Sequence, residues 1–139
     1  MTQPWFFKIY KGKSKDVLCE IIQKIDKEKY SAVKINKFID KVKSSDTIIS
    51  VCMTKDESNR VPEWEEIAAV SMAVQNMWLS CYVNDIGSYW STPALKDVYA
   101  KHSGLNSNQK SLGFFFMGSY KHLETPKVRE GLDSKVEWV

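Results

Sequence analysis

Hydroxyl, amide and indole groups are concentrated in residues 85–92, where Ser88, Ser91 and Thr92 flank Trp90 and follow Gly87. A glycine lets a backbone come close to another group, so N–H groups around Gly87 could contact a flat heteroaromatic ligand. A glycine and a serine after a helix also form an ordinary helix end. The composition of this segment alone therefore leaves a ligand-binding loop and a plain turn both open.

Metal and acyl-transfer chemistry lack their residue patterns. His102 and His122 stand in polar stretches without a second ligand at a zinc-binding spacing, which favours exposed histidines of no special role. Cys19, Cys52 and Cys81 are far apart and odd in number, which favours a reduced, cytoplasmic protein. Neither a phosphate-binding glycine loop nor a Gly-x-Ser-x-Gly nucleophile motif occurs. We therefore expect no metal site and no hydrolytic centre.

Charge is unevenly distributed along the 139 residues. Residues 8–43 carry eleven lysines against five acids, whereas residues 44–139 carry nine basic and twelve acidic residues. Solvated helices account for this lysine-rich part, and a nucleic-acid partner is disfavoured because Arg60 and Arg129 are the only arginines. A helix start explains Glu63, Glu65 and Glu66 better than an acid–base site does, because the positive end of the helix dipole favours acidic residues in the first turn.

Apolar spacing predicts alternating strands and helices in a mixed order, which indicates an α+β fold of one domain. The expected strands cover residues 5–10, 47–53 and 112–118 and a short last strand at 136–139, and residues 88–91 are expected to form a short extended segment. The first helix is expected to use Ser14 as its cap and to place Val17 on an apolar stripe that ends at Ile25. Val33, with Phe38, Ile39 and Val42, should mark the second helix, and Thr92 should cap a helix over 93–100.

A long helix is predicted to begin at Pro62 and to run to about residue 83. Thirteen of the seventeen residues from 67 to 83 are apolar, so this helix is expected to be buried on most sides, in a core or at a subunit interface. Its length and its four polar residues argue against a membrane span, and the chain start lacks the features of a signal peptide.

Four motifs, in order along the chain, resemble those of the nitroreductase family. They are QPWFF at 3–7, EIAAVSMAVQNMWL at 66–79 with IGSYWS at 86–91, LGFFFMGSY at 112–120, and PKVREGL at 126–132 with Trp138. The resemblance implies a central, mostly antiparallel sheet flanked by helices. It also implies an FMN-dependent reductase that takes hydride from NADH or NADPH and then reduces a nitroaromatic, a quinone or a similar small acceptor in a ping-pong cycle. Members of the family are typically homodimers with active sites at the subunit interface, so neither a nucleic-acid nor a membrane partner is expected.

The resemblance also suggests which residues bind the cofactors, although it assigns no catalytic side chain. The flavin contacts would be Trp90, Ser91, Thr92, the backbone of Ile86, Gly87 and Ser88, the Arg129 side chain at the FMN phosphate, and Gln3 with Pro4. The nicotinamide region would comprise Ser80, Cys81, Tyr82, Val83, Asn84 and Asp85.

One departure from the family pattern concerns the start of the chain. The family carries N-terminal helices with an arginine-rich motif for the FMN phosphate before its Q-P-W motif, whereas here Gln3 is the third residue. We therefore expect a single nitroreductase-like domain over 1–139 that is truncated at its N-terminus. The alternative is a non-catalytic remnant of the same fold, a dimeric interaction module without flavin.

Overall fold

Four strands and four α-helices make up the regular structure of the computed structural model, which describes residues 2–24, 30–121 and 129–139. In chain order they are β1 (Trp5–Lys11), α1 (Ser14–Gln23), α2 (Ala32–Ser44), β2 (Thr47–Thr54), α3 (Glu63–Val83), β3 (Gly87–Ser91), α4 (Leu95–His102) and β4 (Gln109–Gly118), followed by a 3₁₀ turn at Leu132–Ser134. Within these ranges no helix combines the length and the apolar character needed to cross a membrane.

The strands form one sheet in the order β1-β2-β4-β3, and every neighbouring pair is antiparallel. This confirms the predicted α+β class and the interior position of β2, whose run of uncharged residues fits a strand paired on both edges. The register between β2 and β4 shifts once: Val51 pairs with Gly113 while Cys52 pairs with Ser111, which leaves Leu112 as the extra residue of a β-bulge.

Alternating side chains of the strands divide the core into two clusters on opposite faces of the sheet. On one face α1, α2 and α4 pack against the sheet, with Phe38 in edge contact with Phe114 at a centroid distance of 4.9 Å. On the other face α3 packs against the sheet, through Val70 and Val74 near Phe115. Because α3 is the only helix on this second face in the described part of the chain, much of the apolar surface of that face depends on it.

Helix α3 is less buried than its composition suggests. Only Val70, Val74, Cys81 and the acidic Glu66 are buried on it, whereas its outward face exposes apolar side chains. The exposed set comprises Trp64, Met72, Trp78, Leu79, Tyr82 and Val83. Because α3 contacts the sheet along one side, the prediction that it is buried on most sides in a core is wrong for the described part of the chain, and burial at a subunit interface stays a prediction.

Several predicted helix starts and stripe positions were wrong in detail. Ser14 is the first residue of α1 and Lys13 is its N-cap, because the Ser14 hydroxyl is engaged by the backbone N–H (2.8 Å) and C=O (2.9 Å) of Lys11 across a tight turn. Val17 and Val33 are exposed, since neighbouring turns of α1 and α2 already fill the sheet face. Ile25 lies outside the described residues.

The helix after β3 and the last strand also differ from the prediction. Helix α4 begins at Leu95 with Ala94 as its N-cap, because Thr92 precedes a proline and is therefore biased towards extended backbone. Residues 136–139 form no strand, and Trp138 is 94% exposed there. The strand-like composition of this segment has no neighbouring strand among the described residues to pair with.

Candidate functional site

Backbone hydrogen bonds from residues 84–86 terminate helix α3. Asp85 takes the left-handed conformation (φ 53°), and the N–H of Ile86 donates to the carbonyl of Cys81 at 2.9 Å. Gly87 already belongs to β3, so the predicted glycine turn with free amides is wrong for residues 84–86. Their N–H groups are used by the last carbonyls of α3.

Gly87 does make a close approach, but to another part of the chain. A Cβ at this position would lie 2.9 Å from Cβ of Tyr120 and 3.0 Å from the carbonyl oxygen of Gly118. The missing side chain therefore admits the Tyr120 ring, which corrects the expectation that the space beside Gly87 is open to a ligand. The tyrosine in turn forms part of the wall of a cleft.

This cleft, here called the aromatic cleft, has a volume of about 1020 Å³ and lies between α3, the start of β3 and the end of β4. Its aromatic walls are formed by Trp78, Tyr82, Tyr89, Phe116 and Tyr120. The predicted residues Ile86, Gly87, Ser88 and Arg129 also line it. Arg129 is the only charged residue among the described lining residues, so flat apolar walls meet one fixed cation. Such a surface suits a planar ligand that carries an anionic group.

The predicted residues Trp90, Ser91 and Thr92 lie farther along β3 and do not line the aromatic cleft. Trp90 packs against the α3-side core, and its buried indole nitrogen has no hydrogen-bond partner among the described residues. All three residues crowd Gly113, which adopts a φ of 121°. Sequence reasoning missed Gly113, although an isolated glycine within an apolar strand is a signal for a bulge or a close backbone contact.

Gln3 and Pro4 lie at the opposite end of the sheet, where the carbonyl of Pro4 accepts a hydrogen bond from the N–H of Thr54 at 2.7 Å. Gln3 lines a second cleft of about 640 Å³, here called the polar cleft, together with Thr2, Thr54, Lys55, Asp56, Arg60 and Val61. The two clefts stand at opposite ends of β4, roughly 25 Å apart at about 3.4 Å per strand residue. One chain therefore does not bring Gln3 and Pro4 together with residues 86–88.

The residues of the predicted nicotinamide region differ in exposure to solvent. Cys81 is buried, Ser80 donates its hydroxyl to the Asn76 carbonyl at 3.0 Å, and Asn84 donates its side-chain amide to the Ser80 carbonyl at 2.8 Å. Tyr82 and Val83 are exposed, and of the whole predicted set Ser80, Cys81, Tyr82, Val83, Asn84 and Asp85 only Tyr82 lines the aromatic cleft.

Glu66 differs from its neighbours at the start of α3. Glu63 pairs with Lys110, whose ammonium group lowers the pKa of the Glu63 carboxyl, and Glu65 is exposed. Glu66 is only 1% exposed, and its Oε1 atom accepts the N–H of Asp56 at 2.8 Å. Its Oε2 atom is buried without a hydrogen-bond partner in the described structure. The helix dipole explains why this first turn of α3 is rich in glutamate, whereas Glu66 is buried because it contacts the loop at Asp56.

The described residues offer neither a metal centre nor a reactive thiol. No group of three or more metal-binding side chains occurs among them. Cys19, Cys52 and Cys81 are free and buried, and burial raises the pKa of the Cys19 and Cys52 thiols. His122 and the motif residues 126–128 lie outside the described part of the chain.

Comparison with known proteins places this arrangement in a family. The sequence profile of the Nitroreductase family matches residues 1–119. The chain is 25% identical over 123 residues to YdjA of Escherichia coli (strain K12), which is provisionally named an NAD(P)H nitroreductase. That match covers 84% of this chain and 66% of YdjA.

Solved structures share the fold. A nitroreductase-like family protein from Bacillus cereus superposes with a TM-score of 0.84 at 23% identity, over 98% of this chain and 73% of that one. The FMN-dependent nitroreductase NfnB from Mycobacterium smegmatis, solved in complex with NADPH, gives 0.69 at 12% identity, over 99% and 80%. The four-stranded antiparallel sheet, its flanking helices and the match over residues 1–119 together show that the chain belongs to the Nitroreductase family.

Proposed function

We propose that the chain is an FMN-dependent oxidoreductase that passes electrons from NADH or NADPH to a small acceptor such as a nitroaromatic or a quinone. The observation that carries this proposal is that Arg129 and residues 86–88, far apart in sequence, line the same aromatic cleft. These are the positions at which the family resemblance expects the FMN phosphate and the redox-active edge of the flavin. YdjA and NfnB, named as nitroreductases, support the same activity.

The residues of the cleft fit FMN in shape and charge. Ligand sites typically measure about 300–1,000 Å³, so a cleft of about 1020 Å³ has room for a flavin and part of a second ring. Strand β3 is at the edge of the sheet, and its outer edge pairs with no strand among the described residues. Its backbone N–H and C=O groups are therefore available to the polar rim of a planar ligand.

When bound, FMN would supply the chemistry of accepting a hydride and returning electrons to an acceptor. The chain's own residues would bind the flavin and orient it. The Arg129 guanidinium would hold the phosphate by charge-assisted hydrogen bonds, and Tyr82 and Trp78 would exclude water from a stacked ring. A backbone N–H group of β3 at residues 87–88, on the outer edge of the sheet, would stabilise negative charge that develops on the ligand. Donor and acceptor would occupy one cleft in turn, as a ping-pong cycle requires.

A homodimer completes the proposal. The exposed outward face of α3 is an apolar surface of the kind that soluble proteins cover with a partner, and a second copy of this chain is the occupant that the family resemblance implies. Gln3 and Pro4 could reach the same flavin as residues 86–88 only if two chains contribute to one site. We further propose that residues 1–139 form one domain and that the three free thiols work in the reducing cytoplasm.

The test exploits the two arginines, because each lines a different cleft. Arg129→Ala should weaken FMN binding by roughly 10- to 100-fold, the loss expected when hydrogen bonds to a charged phosphate are removed. Arg60→Ala should leave the affinity within about twofold, because the Arg60 side chain is engaged by Asp56 and Ser58 of its own loop. The measurement is a titration of FMN followed by quenching of flavin fluorescence, with the melting temperature as a second readout.

Two outcomes would contradict the assignment. Weaker binding in Arg60→Ala but not in Arg129→Ala would move the phosphate to the polar cleft. A stable dimer whose melting temperature ignores added FMN would instead support the flavin-free interaction module, because a ligand that binds only the folded state must raise its stability.

A further inference from the structure

Asp46, which lies between α2 and β2, binds the end of β4 through two hydrogen bonds. Its backbone N–H donates to the carbonyl of Met117 at 2.9 Å, and its Oδ2 atom accepts the N–H of Ser119 at 2.9 Å. A Cβ on Gly118 would lie 3.2 Å from the same Oδ2 atom, so the glycine lets the carboxylate come close. The backbone on both sides of Gly118 is therefore held by one residue.

Tyr120 follows this segment and lies against the start of β3. A Cβ on Gly87 would lie 2.9 Å from both Cβ and Cδ1 of the Tyr120 side chain. The tyrosine is 47% exposed and lines the aromatic cleft together with Gly87, whereas Asp46 does not line it. One side of Tyr120 therefore rests on the β3 backbone, and its exposed part borders the space that a ligand can occupy.

The hydrogen bond between Asp46 and Ser119 restricts where the Tyr120 ring can lie. Ser119 directly precedes Tyr120, so fixing its N–H leaves few backbone torsions between the carboxylate and the ring, and the side chain itself is limited to staggered rotamers. The carboxylate acceptor makes this hydrogen bond charge-assisted and hence stronger than one between neutral groups. Loss of the Asp46 carboxylate should therefore let the ring move away from Gly87.

We propose that Asp46 is a positioning residue for the Tyr120 ring, and that this ring contacts the bound flavin beside residues 87–88. The inference rests on the proposed function, which puts the redox-active edge of FMN at those residues. A flat ligand gains from an aromatic ring that is already in place, because less conformational entropy is then lost on binding. Asp46 acts on the ligand through Tyr120 and not through its own charge.

The first measurement reads the position of the ring in the full chain without a ligand. An aromatic ring shifts the NMR signals of protons that lie against it, so the two α-protons of Gly87 should have clearly separated chemical shifts. Asp46→Ala and Tyr120→Ala should each reduce this separation, because both remove the ring from Gly87. Asp46→Asn keeps an oxygen acceptor for the hydrogen bond and should largely preserve the separation. Asp97→Ala, which removes an exposed carboxylate of α4, is the matched control and should leave it unchanged.

The second measurement is the dissociation constant of FMN, obtained by quenching of flavin fluorescence. Asp46→Ala should weaken binding about 3- to 10-fold, the range for loss of one exposed hydrogen bond, whereas Asp46→Asn should stay within about twofold of the unaltered chain. Tyr120→Ala should also weaken binding. In the double variant Asp46→Ala should add nothing to the effect of Tyr120→Ala, since a residue that acts through the ring has no effect once the ring is removed. Asp97→Ala should bind FMN as the unaltered chain does.

Three results would overturn the inference. Unchanged Gly87 shifts in Asp46→Ala would show that the other interaction of Tyr120 is enough to hold the ring. Additive losses in the double variant would show that Asp46 acts independently of Tyr120. Tighter FMN binding in both Asp46→Ala and Asp46→Asn would mean that the carboxylate acts only by repelling the phosphate. Failure of the proposed function gives a different result: the unaltered chain then binds no FMN, which removes the flavin contact, while the Gly87 shifts still decide whether Asp46 positions the ring.

Discussion

Gly113 and Ser91 lie so close together that a Cβ atom on Gly113 would be 2.4 Å from the carbonyl oxygen of Ser91. The obstacle is backbone, which cannot move aside like the end of a flexible side chain. Gly113→Ala should therefore displace β3 from β4, and the positive φ adds strain of its own. We expect a loss of roughly 2–4 kcal/mol in the free energy of unfolding, measured by urea denaturation.

Alanine substitutions at Gly12 and Gly131 distinguish the two causes of that loss, which are the positive φ and the close contact with Ser91. Gly12 has a positive φ but open space around it, so Gly12→Ala should cost only about 1 kcal/mol. Gly131 has neither a positive φ nor a close neighbour, so Gly131→Ala should be neutral within about 0.5 kcal/mol. If all three variants were equally stable, the close packing of β3 on Gly113 would be refuted.

Glu66 should stabilise the loop that follows β2. Glu66→Ala removes the acceptor of the Asp56 N–H, and leaving that donor unsatisfied should cost about 1–3 kcal/mol in unfolding free energy. Glu66→Gln keeps an Oε1 acceptor and should cost less. Glu65→Ala, on the exposed neighbour, serves as the control and should change stability by less than about 0.5 kcal/mol. A Glu66→Ala variant as stable as the control would show that the hydrogen bond contributes nothing.

Alkaline pH should destabilise the fold through a buried pair of tyrosines. The hydroxyls of Tyr10 and Tyr99 lie 2.8 Å apart, and burial raises the pKa of both groups above their ordinary value near 10. The unfolded chain therefore loses these protons first as the pH rises. Their contribution to stability is complete below about pH 10 and is lost as the pH rises above it.

Urea unfolding between pH 8 and 11.5 measures this loss. A variant with both Tyr10→Phe and Tyr99→Phe should show a smaller decrease over the same range. The decrease should not vanish, since burial also raises the pKa of the Cys19 and Cys52 thiols. Identical pH profiles for the variant and the unaltered chain would assign the alkaline transition to other groups.

Charge placed on the outward face of α3 should weaken the proposed homodimer. Met72 is 63% exposed and does not line the aromatic cleft, so Met72→Lys places a charge on the outward face without replacing a residue of that cleft. We expect the dimer dissociation constant to rise at least about tenfold, because a lysine is costly within an apolar interface. Val33→Lys, at a 76% exposed position on α2, is the matched control. Light scattering after size-exclusion chromatography reports both, and equal masses for the two variants at every concentration would place the interface elsewhere.

Local composition predicted most of the elements, and contacts between distant segments account for the rest. Residues 47–53 are apolar and β-branched, which defines an interior strand whatever its partners. By contrast, Gly113 is required by Ser91 and Trp90 on another strand; an isolated glycine in an apolar strand signals a bulge or a close contact but does not identify the partner. Likewise, the helix dipole suffices to explain the three glutamates at positions 63, 65 and 66, whereas the burial of Glu66 follows from the position of the loop at Asp56.

The candidate site shows the same division. Ile86, Gly87, Ser88 and Arg129 were predicted from a family resemblance, and the fold brings them to one cleft. The reason given for Gly87 was wrong, because its open side holds Tyr120.

Helix α3 presents three surfaces on one rod of 21 residues, about 32 Å long at 1.5 Å per residue. Val74 meets the sheet, Trp78 borders the cleft, and Met72 points outward. Occupancy of the cleft and self-association are therefore expected to be thermodynamically linked: if pairing of two chains tightens the hold on a ligand by some factor, the ligand must tighten the pair by the same factor. Protein concentration then becomes a variable in every titration of the cleft, and an affinity measured on dilute chains will differ from one measured on concentrated chains.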